Sequence, residues 1–177
     1  MIEQELAEWK GKQVQSEGVI TIAIKRKPQN ARKPLDLQNK FPIMKISRRE
    51  TFNAAHRLFR EEWSDEKNME VFGKCSNPNY HGHNYALEVI VDGPIDPFTG
   101  FVMDLKMLKN LIHEKIIERF DHRNLNLDCP EFNEINPTTE NIAVVIWNIL
   151  RSHLSETLTL EVHLSETEKN KVMYSGH

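Results

Sequence analysis

The order of hydrophobic periodicities constrains the fold of this chain more than any other feature. Apolar and polar residues alternate over residues 43–56, from His83 to Val91, over 158–165 and over 171–174, and each stretch predicts a β-strand. Asp92-Gly93-Pro94 ends the second strand, and a turn near Glu168 separates the last two. The chain therefore supplies its strands as two pairs with a long segment between them.

Two helical patterns fill that segment. Asp104 can cap the first helix, and Thr138 or Thr139, just after Pro137, can cap the second. The apolar residues at helical spacing are Leu105, Leu108, Leu111, Ile112 and Ile116 in the first helix, and Ile142, Val145, Ile146, Ile149 and Leu150 in the second. The order β-β-α-α-β-β predicts an α+β domain, an antiparallel four-stranded sheet with two helices on one face.

A small sheet of this kind has two open edges, which invite pairing with other chains. Joining the sheets of several subunits into a closed barrel protects those edges. We therefore expect an oligomer.

Composition limits the class of protein. With 177 residues, 39% of them hydrophobic, and no apolar run near membrane-spanning length, the chain reads as one soluble domain. The net charge of -3 argues against general nucleic-acid binding. Cys75 and Cys129 are too few for a disulfide framework, and the acidic N-terminus does not resemble a signal peptide. A cytoplasmic location is predicted, without a nucleic-acid or membrane partner.

Residues 1–42 differ from the rest of the chain. Prolines and charged residues between Lys25 and Pro34 indicate a linker. Five basic residues there can bind a polyanion, although a solvated connector is the favoured interpretation. We therefore predict an N-terminal extension over 1–42, of undefined structure, and a globular domain over 43–177.

The side chains that can bind a metal or take part in catalysis are most concentrated between Cys75 and Tyr85. In an extended chain His81 and His83 point to the same side and can bind one metal ion. His56 ends the first predicted strand, which can pair beside the second and bring a third imidazole to the same place. Three imidazoles with a vacant fourth position are typical of catalytic zinc.

Two less specific interpretations remain open from the residues alone. An H-x-H pair often arises by chance on an exposed strand. Cys75 can also complete a four-ligand site as a thiolate, which would make the zinc structural. The spacing of the residues does not decide between these alternatives.

Two further segments can contribute to a site. Asp121 adjoins His122 in a loop, and a carboxylate can orient an imidazole and hold it as a cation for proton transfer. Such a pair is also common at helix ends. Glu166 follows a strand and is either a rim carboxylate or a ligand anchor, because a carboxylate accepts two parallel N–H bonds from an amino-pyrimidinone edge. The histidines interpreted as structural or solvated are His113, His153, His163 and His177.

From about Ser47 to Gly176 the chain resembles the 6-pyruvoyltetrahydropterin synthase family. The segments that carry the resemblance are Phe52-Asn53-Ala54-Ala55-His56-Arg57-Leu58, Phe72-Gly73-Lys74-Cys75, Asn77-Pro78-Asn79, His81-Gly82-His83-Asn84-Tyr85, Asp121-His122-Arg123-Asn124-Leu125, Thr138-Thr139-Glu140-Asn141 and Glu166-Thr167. The resemblance implies the tunnelling fold, in which three subunits close a barrel and two trimers form a homohexamer.

The resemblance also implies a role for each matching residue. The implied zinc ligands are His56, His81 and His83, and the implied catalytic residues are Cys75 as base with Asp121 and His122 of a neighbouring subunit. The implied substrate-binding residues are Thr138, Thr139, Glu140 and Glu166. The family substrate is 7,8-dihydroneopterin triphosphate, a pterin whose triphosphate leaves by elimination, and Zn²⁺ is the only cofactor implied.

The family contains a second activity, that of 6-carboxytetrahydropterin synthase in queuosine biosynthesis, which releases acetaldehyde as well as triphosphate. Five residues separate Cys75 from His81 here, as in the pyruvoyl type, whereas the carboxy type usually has three. The pyruvoyl activity of tetrahydrobiopterin biosynthesis is therefore favoured. Tyr80 departs from the glycine common in the family. A non-catalytic zinc or pterin-binding module is the remote alternative.

Overall fold

A computed structural model describes residues 42–176, in which five strands form one sheet. The strands are β1 (Ile43–His56), β2 (His81–Pro94), β3 (Arg123–Asn124), β4 (Thr159–Ser165) and β5 (Lys171–Tyr174). Their order across the sheet is β3-β1-β2-β4-β5. The predicted pairs β1–β2 and β4–β5 form, and β2 pairs with β4 to join them, all antiparallel. The residues predicted to begin and end β1 and β5 agree with those observed.

The prediction of a purely antiparallel, four-stranded sheet was wrong in one respect. The two-residue β3 pairs parallel with Ala54 and Ala55, which makes the sheet mixed. A strand of two residues is too short to produce an alternation that sequence analysis can detect. Within residues 42–176, β3 covers only the end of β1, so the outer edge of β1 before Ala54 is open.

The helices are α1 (Asp65–Phe72), α2 (Leu105–Ile112), α3 (Glu118–Phe120), α4 (Leu125–Asp128) and α5 (Thr139–Arg151). A π-helical turn, His113–Ile117, joins α2 to α3. The first predicted helix is therefore one continuous helical segment whose hydrogen-bonding pattern changes in the middle. The predicted caps form: Asp104 accepts from the Lys106 N–H at 2.7 Å, and Thr138 accepts from the Asn141 N–H at 3.2 Å. None of the helices in this part of the chain is long and apolar enough to cross a membrane.

The helix α1 was not predicted, because it is largely exposed and carries no apolar stripe. Leu105, which was counted with the apolar face of the first predicted helix, is 48% exposed. It lies beside Met44 and Phe101 in a surface groove at the start of α2, and not beneath the sheet.

One face of the sheet is covered by α2, α3 and α5, and the hydrophobic core lies between them. The predicted alternation in β2 is confirmed, since Tyr85, Leu87, Val89 and Val91 are all fully buried. The residues that meet them from the helices include Leu108, Ile112, Ile116, Ile142, Ile146 and Leu150. The opposite face of the sheet is polar, and its residues line a cleft near the ends of β2 and β4.

Replacing Gly176 with alanine is expected to lower the free energy of unfolding by about 2–4 kcal/mol. Gly176 has φ +94°, and an added Cβ would overlap Cζ2 of Trp147, whose indole N–H also donates to the Leu160 carbonyl. Overpacking and backbone strain therefore act together. Urea unfolding at one fixed protein concentration measures the effect.

Gly100→Ala is the matched control. Gly100 also has a positive φ, +75°, but an added Cβ there meets nothing within 4 Å. Gly100→Ala is expected to lower the free energy of unfolding by the backbone strain alone, about 1 kcal/mol. Equal losses in the two variants would show that contact with Trp147 contributes nothing.

Candidate metal centre

Three histidines converge where β1 ends and β2 begins. His56 lies opposite His81 as the last pair of the ladder, and His83 projects to the same side as His81 because it is two residues further along the strand. One ligand atom from each ring lies within 4.8 Å of the others, and Nε2 of His56 is 3.0 Å from Nε2 of His81. The structure thus brings together the three imidazoles that the sequence predicted would meet.

A backbone carbonyl fixes the orientation of His56. Its Nδ1 lies 2.7 Å from the carbonyl oxygen of Pro137, and since a carbonyl can only accept, Nδ1 carries the proton. The lone pair of Nε2 then faces the other two rings. This is the usual arrangement behind a metal-binding histidine.

The donor set fits a divalent metal such as zinc. Burial lowers the pKa of His56, a lowering opposed by the Pro137 carbonyl and assisted by the neighbouring His81, and burial also lowers the pKa of His81. Both rings therefore favour the neutral form that binds metals. In addition, the buried Nε2 of His83 has no hydrogen-bond partner, and an ion among the rings would satisfy it.

Glu166 lies against two of these rings. Its Oε1 is 3.3 Å from Nε2 of His83 and 3.5 Å from Nε2 of His56, without hydrogen-bond geometry to either. The sequence interpretation of Glu166 as a ligand anchor did not anticipate this contact. The carboxylate is only partly exposed, at 19% of its side-chain surface.

Cys75 lies near this cluster but is not part of the three-histidine group. The thiol is half-buried. Burial raises the pKa of Cys75, and the Glu166 carboxylate raises it further. The thiol is thus neutral at ordinary pH unless positive charge is placed beside it.

The segment that carries Cys75 is held by the chain that follows His56. The Leu58 N–H donates to the Cys75 carbonyl at 2.9 Å, and Nε of Arg57 donates to the Ser76 carbonyl at 2.7 Å. Asn126 in turn bonds both the N–H and the carbonyl of Arg57. These bonds therefore fix the backbone around the Cys75 thiol relative to His56.

Asp121 and His122 form the predicted pair, with Oδ2 of Asp121 and Nδ1 of His122 2.8 Å apart. The Asn53 N–H donates to Asp121 at 2.7 Å and is the main reason why the pKa of Asp121 is lowered, with His122 adding to the effect. The His122 side chain is 81% exposed and is not part of the three-histidine group of its own chain. It faces solvent beside the open edge of β1.

The remaining predicted substrate residues begin α5. Thr138 and Thr139 are half-buried, whereas Glu140 is exposed. They directly follow Pro137, so the carbonyl that orients His56 and the first turn of α5 are neighbours. Glu166 and His83 also border the cleft on the polar face, whose volume is about 770 Å³.

The alternation from His83 to Val91 treats Tyr85 as an apolar residue, which is correct for its ring but incomplete for its hydroxyl. Tyr85 is fully buried, yet its hydroxyl has no hydrogen-bond partner among the described residues. Burial raises the pKa of Tyr85 well above its ordinary value, and the charges of Glu166 and Cys75 add to this. The alternation in β2 could have indicated that the Tyr85 side chain lies beside the histidines, because His81, His83 and Tyr85 share one side of the strand.

Residues 45–177 match the family described as 6-pyruvoyl tetrahydropterin synthase. The chain belongs to this family. It is 50% identical over 131 residues to the 6-pyruvoyl tetrahydrobiopterin synthase of Pongo abelii, a match that covers 74% of this chain and 90% of that protein. It is also 36% identical over 127 residues to a dihydroneopterin monophosphate aldolase of Pyrococcus furiosus, covering 72% of this chain and 91% of that protein.

A solved 6-pyruvoyl tetrahydropterin synthase structure, from Caenorhabditis elegans, matches with a TM-score of 0.72 and 41% identity over 77% of this chain and 98% of that chain. This likeness confirms the subunit fold that was predicted, and the assembly of subunits stays a prediction. The division of the chain at residue 42 stays a prediction, because residues 1–41 lie outside the described part.

Proposed function

We propose that this chain converts 7,8-dihydroneopterin triphosphate into 6-pyruvoyltetrahydropterin with loss of triphosphate. The observation that carries the proposal is the convergence of His56, His81 and His83 on one point, with Cys75 nearby but outside the group. A catalytic metal needs an open position, and a structural one does not. The 50% identity to the Pongo abelii relative supports the same activity.

The three histidines would hold Zn²⁺, which would act as a Lewis acid on the side-chain hydroxyls of the substrate and would favour the thiolate of a nearby cysteine. Cys75 takes the proton from the carbon next to those hydroxyls. Because its pKa is raised by burial and by Glu166, Cys75 is a strong base once it is ionised. The backbone bonds from Leu58 and Arg57 fix the position of the chain that carries it.

Asp121 and His122 return the proton. We propose that they do so in the active site of a neighbouring subunit, because His122 is exposed and is not part of the three-histidine group of its own chain. Its position beside the open edge of β1 supports a barrel of three subunits, and two such trimers would form a homohexamer. In this arrangement the Asp121 carboxylate orients the imidazole.

Glu166, with Thr138, Thr139 and Glu140, would bind the pterin ring. Glu166 contacts His83 and His56 of its own chain, and its carboxylate can accept two parallel N–H bonds from the ring. We assign this site to a pterin synthase domain over 43–177, preceded by an extension over 1–42. The predicted cytoplasmic location stays a prediction.

The test is to incubate the zinc-loaded protein with 7,8-dihydroneopterin triphosphate and to identify the products by mass spectrometry, with an acetaldehyde assay in parallel. A 6-pyruvoyl product without acetaldehyde is expected. A 6-carboxy product with acetaldehyde would assign the chain to the carboxy branch. Loss of a side-chain fragment other than acetaldehyde would favour the aldolase activity for which the Pyrococcus furiosus relative is named. Metal-depleted protein is the control.

A further inference from the structure

Among residues 42–176 the Tyr85 hydroxyl is one of four buried side-chain polar atoms without a hydrogen-bond partner. The ring stacks on Phe52 with centroids 5.0 Å apart, and it meets the His83 ring at 5.7 Å and the His56 ring at 6.3 Å. Its surroundings are therefore fixed by packing. An unpaired hydroxyl in such a place costs about 1–3 kcal/mol, so a partner in another state of the site is expected.

Glu166 is the acceptor that the sheet places opposite this hydroxyl. Ala86 and Ser165 form the last pair of the β2–β4 ladder, and Tyr85 and Glu166 are the next residues on the two chains. Tyr85 lies on the helix-covered side, and Glu166, at the edge of the polar cleft, reaches the His83 and His56 rings that share the side of Tyr85. Facing positions in an antiparallel pair bring Cβ atoms to about 4.5–5.5 Å, within reach of two long side chains.

The carboxylate has two alternatives once a metal ion occupies the three histidines. Its Oε1 now lies 3.3–3.5 Å from two of the ring nitrogens that the ion would use. It must then either bind the metal as a fourth ligand or turn towards another donor. Tyr85 supplies a donor beside it that no other described group uses.

We propose that the Tyr85 hydroxyl donates a hydrogen bond to the Glu166 carboxylate when a metal ion is bound, and thereby keeps Glu166 off the metal and directed at the substrate. Tyr85 is then a positioning residue for Glu166. The substrate half of this proposal rests on the proposed function, whereas the metal half does not.

The metal half is tested with Co²⁺-loaded protein, whose visible absorption reports the number and geometry of the ligands. Tyr85→Phe removes the hydroxyl and retains the ring. Its Co²⁺ bands are expected to weaken and shift towards higher coordination, because Glu166 joins the metal. In Tyr85→Phe/Glu166→Ala the bands are expected to return to those of Glu166→Ala alone. Tyr174→Phe, at the distant Trp147 contact, is the matched control.

The substrate half is tested with neopterin, which lacks the triphosphate, by isothermal titration of zinc-loaded protein. Tyr85→Phe is expected to weaken binding about 10-fold, the value of one hydrogen bond to a charged group. In the Glu166→Ala background the same change is expected to alter Kd by less than about 2-fold, since residues that act through one another are not additive.

Unchanged Co²⁺ bands in Tyr85→Phe, or a loss of neopterin affinity that persists without Glu166, would overturn the proposal. If neopterin fails to bind the unaltered protein, the proposed function fails instead, and the Co²⁺ comparison still decides whether Tyr85 positions Glu166. Size-exclusion elution of each variant shows that assembly is unchanged.

Discussion

Cys75→Ala is expected to abolish pterin turnover while the protein keeps its full metal content. A positioned general base contributes about 10²–10⁴-fold to rate, so kcat should fall by at least that range. The metal should stay because the three histidine nitrogens already lie within 4.8 Å of one another without the thiol. Turnover of 7,8-dihydroneopterin triphosphate and zinc per chain by elemental analysis are measured on the same sample.

Cys129→Ala is the matched control for this substitution. Cys129 is only 2% exposed, its sulfur faces the Arg119 carbonyl, and burial, more than any nearby charge, raises the pKa of Cys129 to about 11. It is therefore unreactive and remote from the chemistry, and its replacement should leave kcat unchanged. Loss of zinc from Cys75→Ala would identify the thiolate as a fourth ligand and would favour the non-catalytic module.

His81→Ala is expected to lose both metal and turnover. Two imidazoles would remain, and zinc affinity should fall by more than the ~10–100-fold seen when only an outer partner of a ligand is removed. His81 is better suited to this test than His56, because His56 is 1% exposed and also bonds Pro137, so its removal would disturb the packing. Competition with a chromogenic chelator measures the affinity.

The control for the metal experiment is His113→Ala. This imidazole is 56% exposed on the π-helical turn and pairs only with Glu118, so it should change neither zinc affinity nor kcat. Unaltered zinc stoichiometry and affinity in His81→Ala would show that the metal binds elsewhere, and the three-histidine centre would then be wrong.

Sequence patterns predicted those parts of the fold that depend on local periodicity. The alternation through Leu87 and Val89 specified β2 and its buried face, and the caps at Asp104 and Thr138 specified where two helices begin. The meeting of the histidines was also predictable, because an antiparallel pair places the last side chain of one strand beside the first side chain of the next.

The parts that were not predicted depend on contacts between distant residues. The strand β3 exists only because the chain after His122 meets Ala54 and Ala55, and two residues show no period. The contact of Glu166 with the histidines depends on which way a flexible side chain turns at the end of β4. The unpaired hydroxyl of Tyr85 is invisible to a pattern that counts tyrosine as apolar.

The pairing of His56 with His81 makes metal binding a test of correct folding. The two residues form the last pair of a ladder that aligns 14 residues of β1 with 14 of β2. A slip of one residue anywhere along that ladder would turn one imidazole to the opposite side of the sheet. Metal therefore binds and stabilises only the correctly registered hairpin, and a chain that pairs wrongly gains nothing from zinc in its surroundings.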